Sequence, residues 1–268
     1  MMYSVRFIYA VLLSFGVCLS ARAQELRSHD ATYAMKQIVN YTQNWSPIKR
    51  ADGVLRYKFR QTCDGWTVEH HTIMNMDYGN DEQVQMIWSY TSWEAKDGSK
   101  LRFRSRTKHN GVDAEEYVGE AVHERDATIV TYSKPVGKKE ALPKATYFPT
   151  SHLIKSIELA RKGEKLFNAS YFDGSGQDLN FEVNTFMTAF KGKKLTAVKG
   201  ASLSNIATWD MNLAFFQPGS QESTPQMEMG ARYRQDGVST RLLQDFSDFV
   251  LEGQLVDFSY ADEPVCSK

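Results

Sequence analysis

The sequence predicts an all-β protein: a curved, mainly antiparallel sheet folded around a single α-helix. Three observations carry that expectation. Short segments alternating with period two recur with turn signals between them, spaced as in an up-and-down sheet. One stretch alone, Tyr147–Gly163, combines a helical period with start and stop signals. Two cysteines, Cys63 in the first third of the chain and Cys266 at its C-terminus, would bring those two regions side by side if bonded.

The chain has 268 residues, 42% of them hydrophobic and 12% aromatic, enough to bury a sizeable core. The formal charge is zero, so no basic excess points to nucleic acid and no acidic excess to a disordered tail. Arg6, the apolar run Ile8–Leu19 and Ala21-Arg22-Ala23 form the positive, hydrophobic and small-x-small regions of a signal peptide. We therefore expect residues 1–23 to be removed and 24–268 to form one domain with no transmembrane segment, because the apolar run is short for a bilayer span. A lipid anchor on Cys18 would need a small residue before it, where Val17 stands. Cleavage removes Cys18 and leaves Cys63 and Cys266, which in an exported protein read as a disulfide; two free buried thiols are the alternative.

In chain order, Ala31–Ile38 reads as a strand, and Ala51-Asp52-Gly53 as a turn. Val54–Gln61 alternates, with Leu55, Tyr57 and Phe59 on one face and Arg56, Lys58 and Arg60 on the other. Cys63–Trp66 turns into a strand over Thr67–Asn75. Gln83–Glu94 follows with Val84, Met86, Trp88 and Tyr90 on one side. Asp97-Gly98 and Asn110-Gly111 are hairpin signals that bracket Leu101–Lys108. Ala114–Val122 and Ala127–Ser133 continue the meander. Lys134–Lys144 reads as a linker to the helix.

In the helix, Leu153, Ile154, Ile157 and Ala160 share a face, and Leu159 lies off that stripe, as in a helix covered from more than one side. Thr150 is the expected N-cap and Gly163 the left-handed stop. Lys165–Tyr171 is short and mixed, and Phe172–Gly176 is a loop. Asp178–Phe190, Thr208–Gln217, Met227–Gln235 and Val238–Leu243 read as strands. Phe246–Val250 and Glu252–Phe258 read as two more. Lys191–Gly200 is basic and irregular.

Little chemistry is visible. The six histidines, His29, His70, His71, His109, His123 and His152, lack metal-ligand spacing, and a structural, hydrogen-bonded imidazole is the expected role of each. Ser175 lies in Asp173-Gly174-Ser175-Gly176, a loop pattern rather than a nucleophile elbow. No phosphate-loop or other cofactor motif occurs. Glu115-Glu116 and Asp262-Glu263 are expected at solvated turns or edges. The stripes Arg56/Lys58/Arg60 and Arg102/Arg104/Arg106 suit anionic head groups or glycans, or else the solvated face of a sheet. Trp88, Phe103 and Phe215 could line a lipid-sized cavity, which the helix would compete to fill.

Several blocks resemble the EipB-like periplasmic proteins of alphaproteobacteria: Ser28–Tyr33, Tyr57–Trp66 (YKFRQTCDGW), Phe148–Leu153, Phe172–Ser175 and Gly237–Leu255. They occur in that family's order. The resemblance implies a β-spiral or incomplete barrel around a helix, a Cys63–Cys266 disulfide, periplasmic location and a non-enzymatic role in cell-envelope integrity. Partners would be a periplasmic or envelope protein, with lipid or glycan as further candidates. A lipid or lipoprotein carrier is the alternative. No catalytic residue, metal or cofactor is carried over. Ala189–Ser204 departs from the pattern.

Overall fold

The computed structural model describes residues 26–40, 48–79, 82–176, 180–199, 201–246 and 249–266; the expected signal peptide, 1–23, lies outside them. The first half of the chain is a meander: β1 (His29–Asn40), β2 (Arg50–Gln61), β3 (Gly65–Gly79), β4 (Glu82–Ala95), β5 (Lys100–His109), β6 (Val112–His123), β7 (Thr128–Lys134) and β8 (Lys139–Leu142). Helix α1 (Pro149–Arg161) follows. The second half contains β9 (Leu166–Phe172), β10 (Asn180–Ala189), the small pair β11 (Ala197–Val198) and β12 (Ala201–Ser202), then β13 (Thr208–Phe216), β14 (Met227–Arg234), β15 (Ser239–Asp245) and β16 (Phe249–Tyr260).

Fourteen strands form one sheet in the order β8-β7-β6-β5-β4-β3-β2-β1-β16-β15-β14-β13-β10-β9. Each neighbouring pair is antiparallel. The first and last strands therefore meet in the middle, His29 opposite Tyr260 and Tyr33 opposite Leu255. The free edges, β8 and β9, lie on either side of the helical crossover. The chain between them partly closes the seam: the Tyr147 N–H donates to Ser170 O at 2.7 Å, and the Phe172 N–H to Tyr147 O at 3.0 Å. This is an incomplete barrel whose two ends overlap as a spiral.

Alternation puts Leu55 and Phe59, Leu101 and Phe103, and Val183 and Met187 inside. Asn110 (φ 50°) and Gly111 (φ 81°) make the expected tight hairpin turn. Ala51-Asp52-Gly53 is a correction: it continues β2 rather than turning. Gly53 is required there by close packing, since a Cβ would stand 2.1 Å from Ile73 O. Lys134–Lys144 is not only a linker, because it folds back as the edge strand β8 on β7. Lys165–Tyr171 is strand β9. Phe246–Val250 and Glu252–Phe258 are not separate strands; β16 runs unbroken from Phe249 to Tyr260, absorbing irregularities as register shifts against β1.

The helix plugs the interior. Ile157 and Ala160 pack with Phe59 of β2, Met187 of β10 and Trp209 and Met211 of β13, strands from opposite halves of the sheet. Leu159, off the main stripe, also reaches this cluster. Gly163 (φ 85°) ends the helix as expected, its N–H donating to Ala160 O and that of Glu164 to Leu159 O. The start differs. Phe148 occupies the N-cap position, and Thr150 is already inside the helix. The orphan N–H groups of Thr150 and Ser151 are capped by the Glu94 carboxylate of β4, at 2.7 Å each.

Candidate functional site

Two places in this architecture bear on function: the stitched end of the spiral, and its interior.

At the stitched end, β1 begins, β16 ends and β2 turns into β3. Cys63, in that turn, is bonded to Cys266, with the Cα atoms 5.6 Å apart. Polar bonds support the link. Glu263 accepts the Ser28 N–H at 2.8 Å and the Ser28 hydroxyl at 2.7 Å. The Ser28 hydroxyl accepts the Gln61 N–H, so strands β2 and β16 are tied through the residue before β1. Glu263 is exposed, as expected, and carries these bonds in addition. Glu116 likewise holds Lys134 and Arg104.

The basic stripes sit on the outward face, and carboxylates already occupy most of them. Lys58 pairs with Glu69 at 3.2 Å, Arg60 with Asp30 at 2.7 Å and Arg106 with Asp113 at 2.6 Å, while Arg104 pairs with Glu116. Arg102 lies over the Trp93 ring. Such exposed pairs contribute little energy each, yet they cancel the field that would attract an anionic partner.

Inside, the three aromatics expected to line a cavity have different fates. Phe103 is packed edge-on between Tyr132 and Phe172, and Phe215 against Phe181 and Tyr171. Both are buried. Trp88 alone keeps some surface; it stacks on Tyr90, meets His70 edge-on at 4.5 Å, and donates to the Ser105 hydroxyl at 2.9 Å. Around it lies a polar aromatic zone that the sequence reading missed. Tyr57 lies between Leu55 and Phe59 on the inward face of β2, and Tyr233 belongs to the helix cluster. Tyr171 meets His152 and Phe215 edge-on.

Tyr57, His70, Tyr171 and Tyr233 are only half-buried by area. Shielding from water nevertheless dominates their titration. Burial pushes His70 down to about 4 and Tyr233 up to about 12, and raises Tyr57 and Tyr171 further. All four keep some accessible surface. Among the described residues, the hydroxyls of Tyr57, Tyr171 and Tyr233 meet no protein partner. Tyr90 is anchored, donating to Asp173 O at 2.6 Å. Burial raises the Asp173 carboxyl, against bonds from Ser175. The interior presents aromatic walls with unpaired phenols, which suits water or an amphipathic occupant better than a plain acyl chain.

The remaining histidines are scattered. His29 bonds Arg27 O at 2.7 Å and packs on Phe59. His71, opposite in facing to His70, bonds Ser89. His109 is exposed at a hairpin, and His123 stacks on Phe148. His152 is buried on Phe167, 3.2 Å from the Thr185 hydroxyl. Among the described residues no group of three or more His, Cys, Asp or Glu side chains could hold a metal ion. Ser175 has its N–H bonded to Asp173 in the loop after β9. No described helix is long and apolar enough to cross a membrane.

A disulfide-tied antiparallel spiral, plugged by one helix and seamed beside it, defines a class of β-barrel-like proteins. The chain belongs to the EipB-like family, whose pattern matches residues 20–262. It is 28% identical over 256 residues to the cell envelope integrity protein EipB of Brucella abortus, covering 92% of this chain and 89% of that protein. Its fold is that of a crystal structure of a beta-barrel-like protein from Brucella abortus, titled as a domain of unknown function. That match has a TM-score of 0.80 and 24% identity, and it covers 90% of this chain and all of the other.

Proposed function

We propose that this protein is a non-enzymatic periplasmic factor that maintains cell-envelope integrity by binding a partner protein or another envelope component. Family membership across residues 20–262 carries the reading, together with the envelope role in the name of the Brucella relative. Residues 1–23 act as the signal peptide and 24–268 as one exported domain. The Cys63–Cys266 bond, the one site assignment, suits an oxidising compartment. Edge strand β9 supports a protein partner. Tyr147 covers its Phe172 end, while Leu166 at the other end stands exposed beside Phe186, its neighbour across β10. An extended segment could add there. A photocrosslinking residue at Leu166 should capture a discrete envelope protein in cells, and a strain lacking the gene should become sensitive to detergent. A strain with unchanged detergent tolerance would end this reading.

A second reading, a carrier of a lipid or lipoprotein, draws on the half-buried aromatic residues of the interior, whose phenols suit an amphipathic ligand with a polar head rather than a bare acyl tail. Native mass spectrometry of protein purified from the periplasm decides it. A retained acyl-bearing mass supports carriage, and a bare polypeptide mass opposes it.

A further inference from the structure

The segment 190–197, the basic and irregular stretch of the sequence, does more than connect β10 to β13. It roofs a cleft of about 530 Å3 over β13–β16. Lys193, Lys194, Arg232 and Arg241 line it, with Glu252 the sole acidic group among the lining residues. We propose that this cleft binds a phosphate ester, presented either by a lipid head group or by a small soluble molecule.

The cleft is built rather than incidental. Beneath it Arg234, only 2% exposed, bonds Asp236 at 3.0 Å and donates to Ser204 O at 2.8 Å, pinning the returning segment to the sheet. The Arg232 guanidinium is clamped between the Phe190 ring, 3.6 Å away, and Asp210. Nε and Nη2 serve Asp210, which among the described residues leaves Nη1 for a ligand. Among the described residues, Arg241 uses Nε alone, on Glu252 at 2.6 Å. Holding both guanidinium groups in place before binding lowers the entropy cost of capture.

The lysines supply the charge. Lys194 donates to Ile206 O at 2.7 Å, and among the described residues neither Lys193 nor Lys194 meets a carboxylate. Each lining arginine has its own acid, so two positive charges stay uncompensated within concave walls, which focus their field. This contrasts with the outward stripes, where Lys58, Arg60, Arg104 and Arg106 are all paired. Two lysines and two arginines with donors to spare line the cleft. A carboxylate accepts at about four sites confined to one plane, whereas a tetrahedral phosphate dianion offers more acceptor sites spread in three dimensions and matches the +2 excess. The volume exceeds what a bare phosphate fills and falls in the range of small-molecule sites, so the anion comes attached to an organic group.

The test uses the exported chain and does not depend on the envelope role proposed above. Glycerol 3-phosphate is titrated calorimetrically, and cosedimentation is measured with phosphatidic acid-containing vesicles, which present the same phosphomonoester, against pure phosphatidylcholine vesicles. Binding to the soluble ester identifies a small-molecule site, and binding only to the anionic vesicles identifies a head-group site; either supports the cleft. In both, Lys193→Ala with Lys194→Ala should weaken binding by at least about tenfold, the loss expected for charge-assisted bonds. Lys58→Ala with Arg106→Ala should leave binding unchanged. A single Lys193→Glu change at an exposed position repeats the test without risk to the fold. No binding in either format, or binding that the lysine variants do not alter, overturns the proposal.

Discussion

Glu94 of β4 caps the helix at Thr150, a residue 56 positions further along the chain, accepting its N–H at 2.7 Å while its second oxygen accepts that of Ser151 at 2.7 Å. The carboxylate is 1% exposed and meets the positive end of the helix dipole. It fixes the position of the plug relative to the sheet. Burial raises its pKa, against the bonds from Thr150 and Ser151.

Glu94→Ala strips two buried N–H groups of their acceptor and should lower stability by about 3 kcal/mol. Glu94→Gln keeps one acceptor oxygen and should cost less. Urea unfolding of both variants checks this; equal midpoints for Ala and wild type would show that the cap is not needed.

Ile157→Asp places a charge among Phe59, Met187 and Trp209. A loss of at least about 3 kcal/mol is expected, read as a lower urea midpoint with unchanged slope.

His152 should make the fold acid-sensitive. Burial lowers its pKa from 6.5 to about 4. The folded pKa lies below the unfolded one, so the neutral ring contributes fully above pH 6.5, and that contribution is lost as pH falls toward 4. The full loss is about 3 kcal/mol. His70, lowered by burial to about 4 as well, acts in the same direction. Thermal unfolding between pH 7 and 4.5 should therefore steepen less in His152→Gln, which retains a polar group for Thr185. An identical pH slope in the variant would contradict the assignment.

Gly174 has φ 70°, and a Cβ there would fall 2.3 Å from the Phe103 ring. Gly174→Ala combines backbone strain with overlap and should cost about 2 kcal/mol. Trimming the ring with Phe103→Leu in the same chain should recover part of the loss, measured as a double-mutant cycle.

Breaking the Cys63–Cys266 link, which closes a separation of 203 residues, frees the unfolded chain by up to about 5 kcal/mol in the loop-entropy treatment. Cys63→Ser and added reductant should lower the melting temperature equally. The Ser28–Glu263 bonds still hold the C-terminal segment, so the folded state should keep its far-ultraviolet spectrum.

Much of the sheet was legible because its signals are local. Asn110-Gly111 and Asp97-Gly98 announce their hairpins, and alternation in Val54–Gln61 and Leu101–Lys108 assigns inward faces correctly. Glycine misled where its role was close packing rather than turning, as at Gly53 against Ile73 O. Edge strand β8 was hidden by Pro135 and its lysines, residues that suit both a linker and a guarded edge. The helix end was legible at Gly163 and not at its start, because the capping group comes from β4. The candidate sites were least visible. Paired stripes look identical to free ones in a sequence, and the cationic cleft is assembled from five separated segments around 193, 208, 232, 241 and 252.

The central pairing of β1 with β16 sets an order of events at birth. Hairpins β2 to β8 can form as soon as each emerges from the export channel, but the opening strand has no second neighbour until the closing one arrives. A polypeptide shortened before Phe249 would leave two long bare ladders in the middle of the molecule, a template for association with other chains.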